Sequence, residues 1–199
     1  MSALTVLAWP SPQAPAWQDD MLALSTAVPP GATREIARAD IRAAVCEAAG
    51  ALLDLGPERI EVASTPGSAP RLLVDGAVVG GGVSISHADT ISVAVLHKNG
   101  AIGVDIMRIG ITSDWARVAH DYLGMAAASL LAAATDDQRP LAFTLAWARR
   151  EAGLKLRGEK LTEWRGGGEP RPAAGATVDA GRYMQLAMPD GYAGVVALD

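Results

Sequence analysis

Three short apolar runs, separated by turn residues, occupy the middle of the chain. They cover 83–87, 90–96 and 101–107, and Lys98-Asn99-Gly100 lies between the second and the third. Each run has the length of a β-strand. Because Asn-Gly between two apolar runs is typical of a tight turn, the pattern predicts that the second and third strands pair as a hairpin.

The third strand carries a carboxylate on one face. A period of two places Asp105 beside Gly103 and Met107, opposite the apolar face that begins at Ile102. A carboxylate next to a glycine on a rigid strand can meet a metal ion or a ligand phosphate. The alternative is a solvated aspartate on the open face of an antiparallel sheet, and the pattern alone leaves both interpretations open.

A long helix is predicted over about 33–55, with Thr33 as its N-cap. Arg34, Arg38 and Arg42 are spaced four residues apart and therefore form one basic stripe on this helix. Such a stripe can bind an anion. The alternative is a solvated face, which the nearby acidic residues favour, above all for Arg34.

A second long helix is predicted over 137–156, capped by Asp136 or Asp137. Trp147, Glu151 and Lys155 share one of its faces. Taken alone, Glu151 and Lys155 also fit an ordinary surface ion pair worth about 0.3–0.5 kcal/mol.

The remaining elements are short. Strands are predicted at 4–9, 59–63 and 71–74, and a final hairpin at 182–188 and 192–198. Short helices are predicted at 16–26, 112–124 and 125–134. Thr65-Pro66-Gly67 reads as a turn, and 166–175 as a loop rich in proline and glycine.

Composition narrows the class of protein. Half of the 199 residues are apolar, which is enough for a sizeable core, and the net charge is −5. This charge argues against a general nucleic-acid binder, so an anionic ligand would need a local basic patch. Cys46 is the only cysteine, which rules out an internal disulfide. No basic start is followed by an apolar signal core and no apolar run reaches 18 residues, so we expect a cytoplasmic protein without a membrane partner. We also expect a monomer with no nucleic-acid partner.

Three motifs, taken in order, carry a family resemblance. They are Ser84-Ile85-Ser86-His87, Gly103-Val104-Asp105 and Trp147-x-x-Arg150-Glu151-Ala152-x-x-Lys155. In this order and at this spacing they resemble the 4′-phosphopantetheinyl transferase superfamily, and the longer, single-chain Sfp-like type fits best by length. The resemblance is good over about 70–160 and weaker at both ends.

The resemblance implies a fold and a reaction. The fold is α+β, built as two similar subdomains that each place a long helix against a small, mainly antiparallel sheet, with the active site between them. We expect the halves to be 1–97 and 98–199. The reaction moves 4′-phosphopantetheine from coenzyme A to a serine of an apo acyl or peptidyl carrier protein and releases 3′,5′-ADP.

The resemblance also implies which residues bind coenzyme A. His87, with Ser86 beside it, would contact the 3′-phosphate as a cationic or hydrogen-bonding imidazole. Arg42 on the basic stripe and Arg71 on the following strand would help to bind the same substrate. Family members often have a basic residue directly before this proline, whereas here Arg71 directly follows Pro70. An exposed arginine at the edge of a strand is therefore an equally good interpretation of Arg71.

The implied chemistry rests on three further residues. Asp105 and Glu151 would hold Mg²⁺ against the pyrophosphate, since magnesium prefers carboxylate oxygens, water and substrate phosphates. Glu151 would also take the proton from the carrier serine, and Lys155 would bind and neutralise phosphate charge as 3′,5′-ADP leaves. All three are expected to be catalytic.

Two departures from the family pattern keep other functions open. Met107 stands where many members have a third carboxylate, and a thioether does not bind hard Mg²⁺. Arg150 stands where a lysine is usual. The chain could therefore be a catalytically lapsed homologue that only binds coenzyme A or a carrier protein. An unrelated metal-dependent phosphohydrolase would share the two carboxylates but lacks an evident nucleophile.

Overall fold

A computed structural model of the protein describes residues 3–65, 68–162 and 182–199. The predicted 166–175 loop, and two of the three residues of the predicted turn at 65–67, lie outside these ranges. The four helices are α1 (Arg34–Leu53), α2 (Trp115–Val118), α3 (Met125–Ala133) and α4 (Arg139–Arg157). The ten strands are β1 (Leu4–Ala8), β2 (Met21–Ala27), β3 (Ile60–Ala63), β4 (Arg71–Val74), β5 (Ala77–Val78), β6 (Gly82–Ala88), β7 (Ile91–His97), β8 (Ile102–Arg108), β9 (Arg182–Ala187) and β10 (Tyr192–Leu198).

Seven of the described strands form one mixed sheet in the order β6-β7-β2-β1-β9-β10-β8, and β3, β4 and β5 form a small second sheet. Apolar side chains of the large sheet enclose one core, and α1 covers the opposite face over a second core. A third, small core lies between α2, α3 and α4. The mixed α+β class is therefore confirmed.

The division into two similar subdomains is not confirmed. Strands from both predicted halves share the large sheet, because β1 pairs in parallel with β2 on one side and with β9 on the other. The boundary between 1–97 and 98–199 stays a prediction. None of the described helices is long and apolar enough to cross a membrane.

The short helix predicted at 16–26 is wrong. Met21–Ala27 forms β2, which is buried along nearly its whole length between β1 and β7. A strand that is buried on both faces reads as a continuous apolar run, and periodicity cannot distinguish such a run from a buried helix.

The predicted hairpin between the second and third apolar runs is also wrong. β7 pairs with β2 on one edge and with β6 on the other, so neither edge is left for β8. β8 pairs with β10 instead, as its antiparallel partner. The 98–100 segment thus connects β7 to β8, which lies at the other end of the sheet. The hairpin predicted from the last two strands is confirmed as β9 and β10.

The two end strands of the large sheet, β6 and β8, are joined by serine side chains. The amide of Val104 donates to Oγ of Ser84 at 2.9 Å, and the amide of Ile106 donates to Oγ of Ser86 at 3.3 Å. Both serines are buried. Hydroxyl groups therefore satisfy buried amides at this seam, where a backbone ladder would otherwise be needed.

The two long helices are confirmed, with one correction at a cap. Thr33 caps α1 by accepting a hydrogen bond from the amide of Ile36, as predicted. α4 begins after Gln138, which makes no side-chain cap, so neither Asp136 nor Asp137 is its N-cap. The carboxylate of Asp136 instead pairs with Arg139 in the first turn.

A glycine lets α4 approach β8 closely. A Cβ atom on Gly103 would lie only 2.0 Å from the carbonyl oxygen of Ala152, so no larger side chain fits there without movement. The close contact brings the Glu151 and Lys155 turns of the helix next to the strand residue Asp105.

Candidate active site

A cleft of about 650 Å³ opens between α1 and α4, with β6 and β8 at its base. Its lining contains most of the residues that the sequence singled out. They are Arg34, Arg38, Arg42, Ser64, Thr65, Ser68, Pro70, Ile85, Ser86, His87, Asp105, Glu151 and Lys155.

The α1 wall of the cleft is cationic. Arg34, Arg38 and Arg42 all line it, so the stripe faces the cleft and does not merely contact solvent. Arg34 and Arg38 are exposed, whereas Arg42 is half-buried and donates to Oγ of Ser64. The Nε atom of Arg42 is buried and has no hydrogen-bond partner among the described residues. A buried donor without an acceptor is destabilising, and an anion bound in the cleft would supply the acceptor that Arg42 lacks.

His87 lies at the end of β6 and also faces the cleft. Burial, followed by the surrounding positive charges, lowers the pKa of His87 from 6.5 to about 4. In order of effect these charges belong to Arg34, Arg38, Lys155 and Arg42. The imidazole is therefore neutral at physiological pH, and of the two states considered from the sequence the structure favours the hydrogen-bonding one. Its Nδ1 atom lies 2.7 Å from Oγ of Ser92.

Asp105 lies at the base of the cleft and is buried, which overturns the alternative of a solvated aspartate. Its Oδ1 atom accepts from Nζ of Lys155 at 2.9 Å and from Oγ of Ser86 at 2.8 Å. Each hydrogen bond that the described residues donate to this carboxylate ends at Oδ1. The other oxygen, Oδ2, is left for a further ligand.

Lys155 is tied to β8 and β6, so the surface-pair interpretation of Glu151 and Lys155 does not describe it. Besides Asp105, its ammonium donates to the carbonyl oxygen of Val104 at 2.9 Å and to Oγ of Ser86 at 3.2 Å. The lysine side chain is 33% exposed and the Asp105 side chain 11%. Three acceptors use all three ammonium hydrogens, so this cation is positioned by the protein itself.

Glu151 stands one helical turn before Lys155 on the same wall. Burial raises the pKa of Glu151, and the negative charge of Asp105 adds to this rise, while Lys155 and Arg150 act in the opposite direction. The two carboxylates therefore repel each other across the cleft. A carboxylate with a raised pKa is a better proton acceptor than an ordinary one.

Three residues discussed from the sequence lie elsewhere. Arg71 is exposed at the start of β4 and does not line the cleft, although the preceding Pro70 does. Trp147 packs against Tyr122 and Phe143, with ring centroids 5.6 and 6.2 Å away, and so belongs to the helical core. Met107 is half-buried opposite Ala193 of β10 and does not line the cleft either.

Ser86 forms its hydrogen bonds within the protein. Its hydroxyl donates to Asp105 and accepts from both Ile106 and Lys155, so its hydrogen-bonding capacity is used within the protein. The sequence motif was noticed, but the packing of β6 beside β8 that gives Ser86 this environment could not be predicted from the local pattern. A contact from Ser86 to coenzyme A stays a prediction.

The residues at the base of the cleft fit a magnesium ion that is held partly by substrate. No group of three or more His, Cys, Asp or Glu side chains with metal-binding geometry occurs within 3–65, 68–162 and 182–199. Asp105 and Glu151 provide two carboxylates whose mutual repulsion a divalent cation would relieve. Magnesium is commonly bound by one or two carboxylates together with substrate phosphates and water, and this pair matches that type of ligand.

A comparison with protein-family models gives a match over part of the chain. Residues 101–169 match the family model of the 4′-phosphopantetheinyl transferase superfamily, a stretch that includes Asp105, Glu151 and Lys155. The chain matches none of the curated proteins with which it was compared. The family transfers phosphopantetheine, with coenzyme A as substrate and a carrier protein as partner. A 4′-phosphopantetheinyl transferase superfamily domain is thus detected over the part of the chain that supplies the α4 wall of the cleft.

Proposed function

We propose that the protein transfers the 4′-phosphopantetheine group from coenzyme A to a serine of an apo acyl or peptidyl carrier protein. The observation that carries this proposal is the division of one cleft into two walls. The α1 wall has three arginines, with the neutral His87 of the base beside them. The α4 wall has Glu151 and Lys155, with Asp105 of the base beside them.

The arginine wall suits the nucleotide end of coenzyme A. That end carries a 3′-phosphate and a pyrophosphate, and arginine binds phosphate oxygens through several donors in a fixed plane. The uncharged imidazole of His87 would donate one hydrogen bond to the anionic 3′-phosphate. Arg42, whose Nε lacks an acceptor, would gain one when the nucleotide binds. To bind the nucleotide, Arg71 would have to turn its exposed side chain toward the cleft.

The carboxylate wall suits the reacting end. The serine hydroxyl of the carrier protein attacks the phosphorus that bears the pantetheine arm, and the bond from that phosphorus to 3′,5′-ADP breaks. Glu151 accepts the serine proton. Lys155 keeps a positive charge beside the pyrophosphate, where negative charge grows on the departing 3′,5′-ADP.

Mg²⁺ would be held by Asp105, through Oδ2, and by Glu151. When bound, it would neutralise the pyrophosphate oxygens and so favour attack on the phosphorus. Ser86 and Lys155 would keep the Asp105 carboxylate in a fixed orientation through their bonds to Oδ1. Met107 lies outside the cleft lining, so two carboxylates rather than three are proposed as ligands.

The test is incubation with coenzyme A, Mg²⁺ and a panel of apo carrier proteins, followed by intact mass measurement. A phosphopantetheine adduct on at least one carrier, absent without Mg²⁺, supports the proposal. Binding of coenzyme A with no adduct on any carrier would instead favour the lapsed homologue. Hydrolysis of coenzyme A without transfer would favour a phosphohydrolase.

A further inference from the structure

A buried row of polar side chains leads from the interior of the sheet to His87. Thr26 on β2 lies opposite Ser92 on β7, and Ser92 lies opposite His87 on β6. Ser92 is fully buried, with 0% of its surface exposed, and its Oγ is 2.7 Å from Nδ1 of His87. Thr26 Oγ1 is buried without a hydrogen-bond partner among the described residues, so the row is connected only from Ser92 onward.

The position of the hydroxyl hydrogen follows from the surroundings of Ser92. Among the described residues, Nδ1 of His87 is the one hydrogen-bond partner of its Oγ. If His87 donated to the serine, the serine hydrogen would be left in the interior without an acceptor. An unsatisfied buried donor costs more than an unused lone pair on a hydroxyl oxygen. The arrangement in which Ser92 donates to Nδ1 is therefore favoured.

This hydrogen bond sets the tautomer of the ring. An Nδ1 atom that accepts cannot also carry the proton of a neutral imidazole, so the proton lies on Nε2. Nδ1 is turned to Ser92, which leaves the Nε2 edge of the ring for the cleft. The arginine and lysine donors of the cleft are cationic, whereas an Nε2–H group adds a donor without adding a charge.

We propose that Ser92 is a positioning residue that holds His87 as the Nε2–H tautomer and thereby makes this edge of the cleft a donor for phosphate oxygen. The opposite tautomer would present a lone pair, which repels a phosphate oxygen and attracts a metal ion. The recognition of phosphate rests on the proposed function. The tautomer itself does not, because it is a property of the ligand-free protein.

The first measurement is the tautomer of His87 by ¹⁵N-detected nuclear magnetic resonance of the ligand-free protein at pH 7. His87→Gln assigns the signal among the three histidines of the chain. We expect the Nε2–H form in the wild type, a mixture of tautomers in Ser92→Ala, and recovery of the Nε2–H form in Ser92→Thr. Thr26→Val, next to Ser92 in the row, is the matched control and should leave the signal unchanged.

The second measurement is the affinity for 3′,5′-ADP and for 5′-AMP by calorimetry. Ser92→Ala should weaken 3′,5′-ADP about two- to tenfold, the range of a neutral hydrogen bond, and should leave 5′-AMP nearly unchanged. An Nδ1–H signal in the wild type, or a signal that Ser92→Ala does not alter, overturns the proposal. Equal weakening of both nucleotides overturns the role in recognition. A wild type with no preference for 3′,5′-ADP counts against the proposed function, while the tautomer measurement still decides the role of Ser92.

Discussion

The two long helices that border the cleft are alike in length but present different charged side chains to it. α1 has 20 residues and α4 has 19, and each presents side chains spaced four apart to the same cleft. On α1 all three side chains of the stripe are arginines, two of them exposed. On α4 the stripe contains Trp147, which packs in the helical core, and Glu151, which is half-buried at the cleft. Its third member is Lys155, which hydrogen bonds to β8 and β6 hold in place.

The two helices differ in how far their charged side chains are buried. Arg34 and Arg38 keep water around most of their charge, so they cost little on a helix surface and remain free to contact a ligand. The charged groups on α4 are partly buried, so their charge must be compensated. Lys155 is paired with Asp105, and burial raises the pKa of Glu151. We infer that α1 contributes mainly affinity and α4 mainly chemistry.

The largest expected effect is on the α4 side. Asp105→Asn and Glu151→Gln should each reduce the transfer rate by about 10²–10⁴-fold, the range that one acid–base or electrostatic group contributes. The rate of adduct formation by intact mass measures this effect. Glu159→Gln changes an exposed carboxylate just beyond α4 and should leave the rate unchanged. A near-native rate in either site variant at saturating Mg²⁺ would remove that residue from the proposed chemistry.

A smaller effect is expected on the α1 side of the cleft. His87→Ala should weaken coenzyme A by about one to two decades while leaving 3′-dephospho-coenzyme A nearly unaffected, because the lost bond reaches the 3′-phosphate. Calorimetry with the two ligands checks this. The control is His120→Ala, an exposed histidine paired with Asp121. Equal losses for both ligands would mean that His87 contacts another part of the substrate.

The contact between α4 and β8 can be tested through stability. Gly103→Ala places a methyl group against the Ala152 carbonyl, so the free energy of unfolding should fall by about 1–3 kcal/mol. Gly80→Ala is the matched control, since a Cβ there meets nothing within 4 Å. Denaturant unfolding measures both. If the two variants are equally stable, α4 is not held as closely to β8 as described.

The smallest expected effect is the pH dependence of stability caused by His87. Its pKa is about 4 in the folded protein and near 6.5 when unfolded, so between these values the unfolded chain binds more protons. This histidine therefore makes the wild type lose stability as the pH falls from 6.5 toward 4. His87→Gln should show a shallower loss over the same window in denaturant titrations. Parallel curves for the two proteins would show that the imidazole is not held neutral.

Local pattern predicted the long helices, their polar stripes and the strand that carries Asp105, because each depends on residues close in sequence. The Thr33 cap and the faces of β8 are examples. It failed where strand pairing decides, as at β2 and in the false hairpin between β7 and β8. The same limit explains why the partners of Ser86 and Lys155 were missed, since their bonds join elements that are 19 and 51 residues apart in the chain.

The central claim is the division of labour between the α1 and α4 walls. The most direct test measures both the dissociation constant for 3′,5′-ADP and the kcat of transfer in Arg38→Ala and in Glu151→Gln. The account predicts weaker nucleotide binding with a retained kcat for Arg38→Ala, and a retained affinity with a kcat lower by about 10²–10⁴-fold for Glu151→Gln. The same pattern of losses in both variants would contradict it.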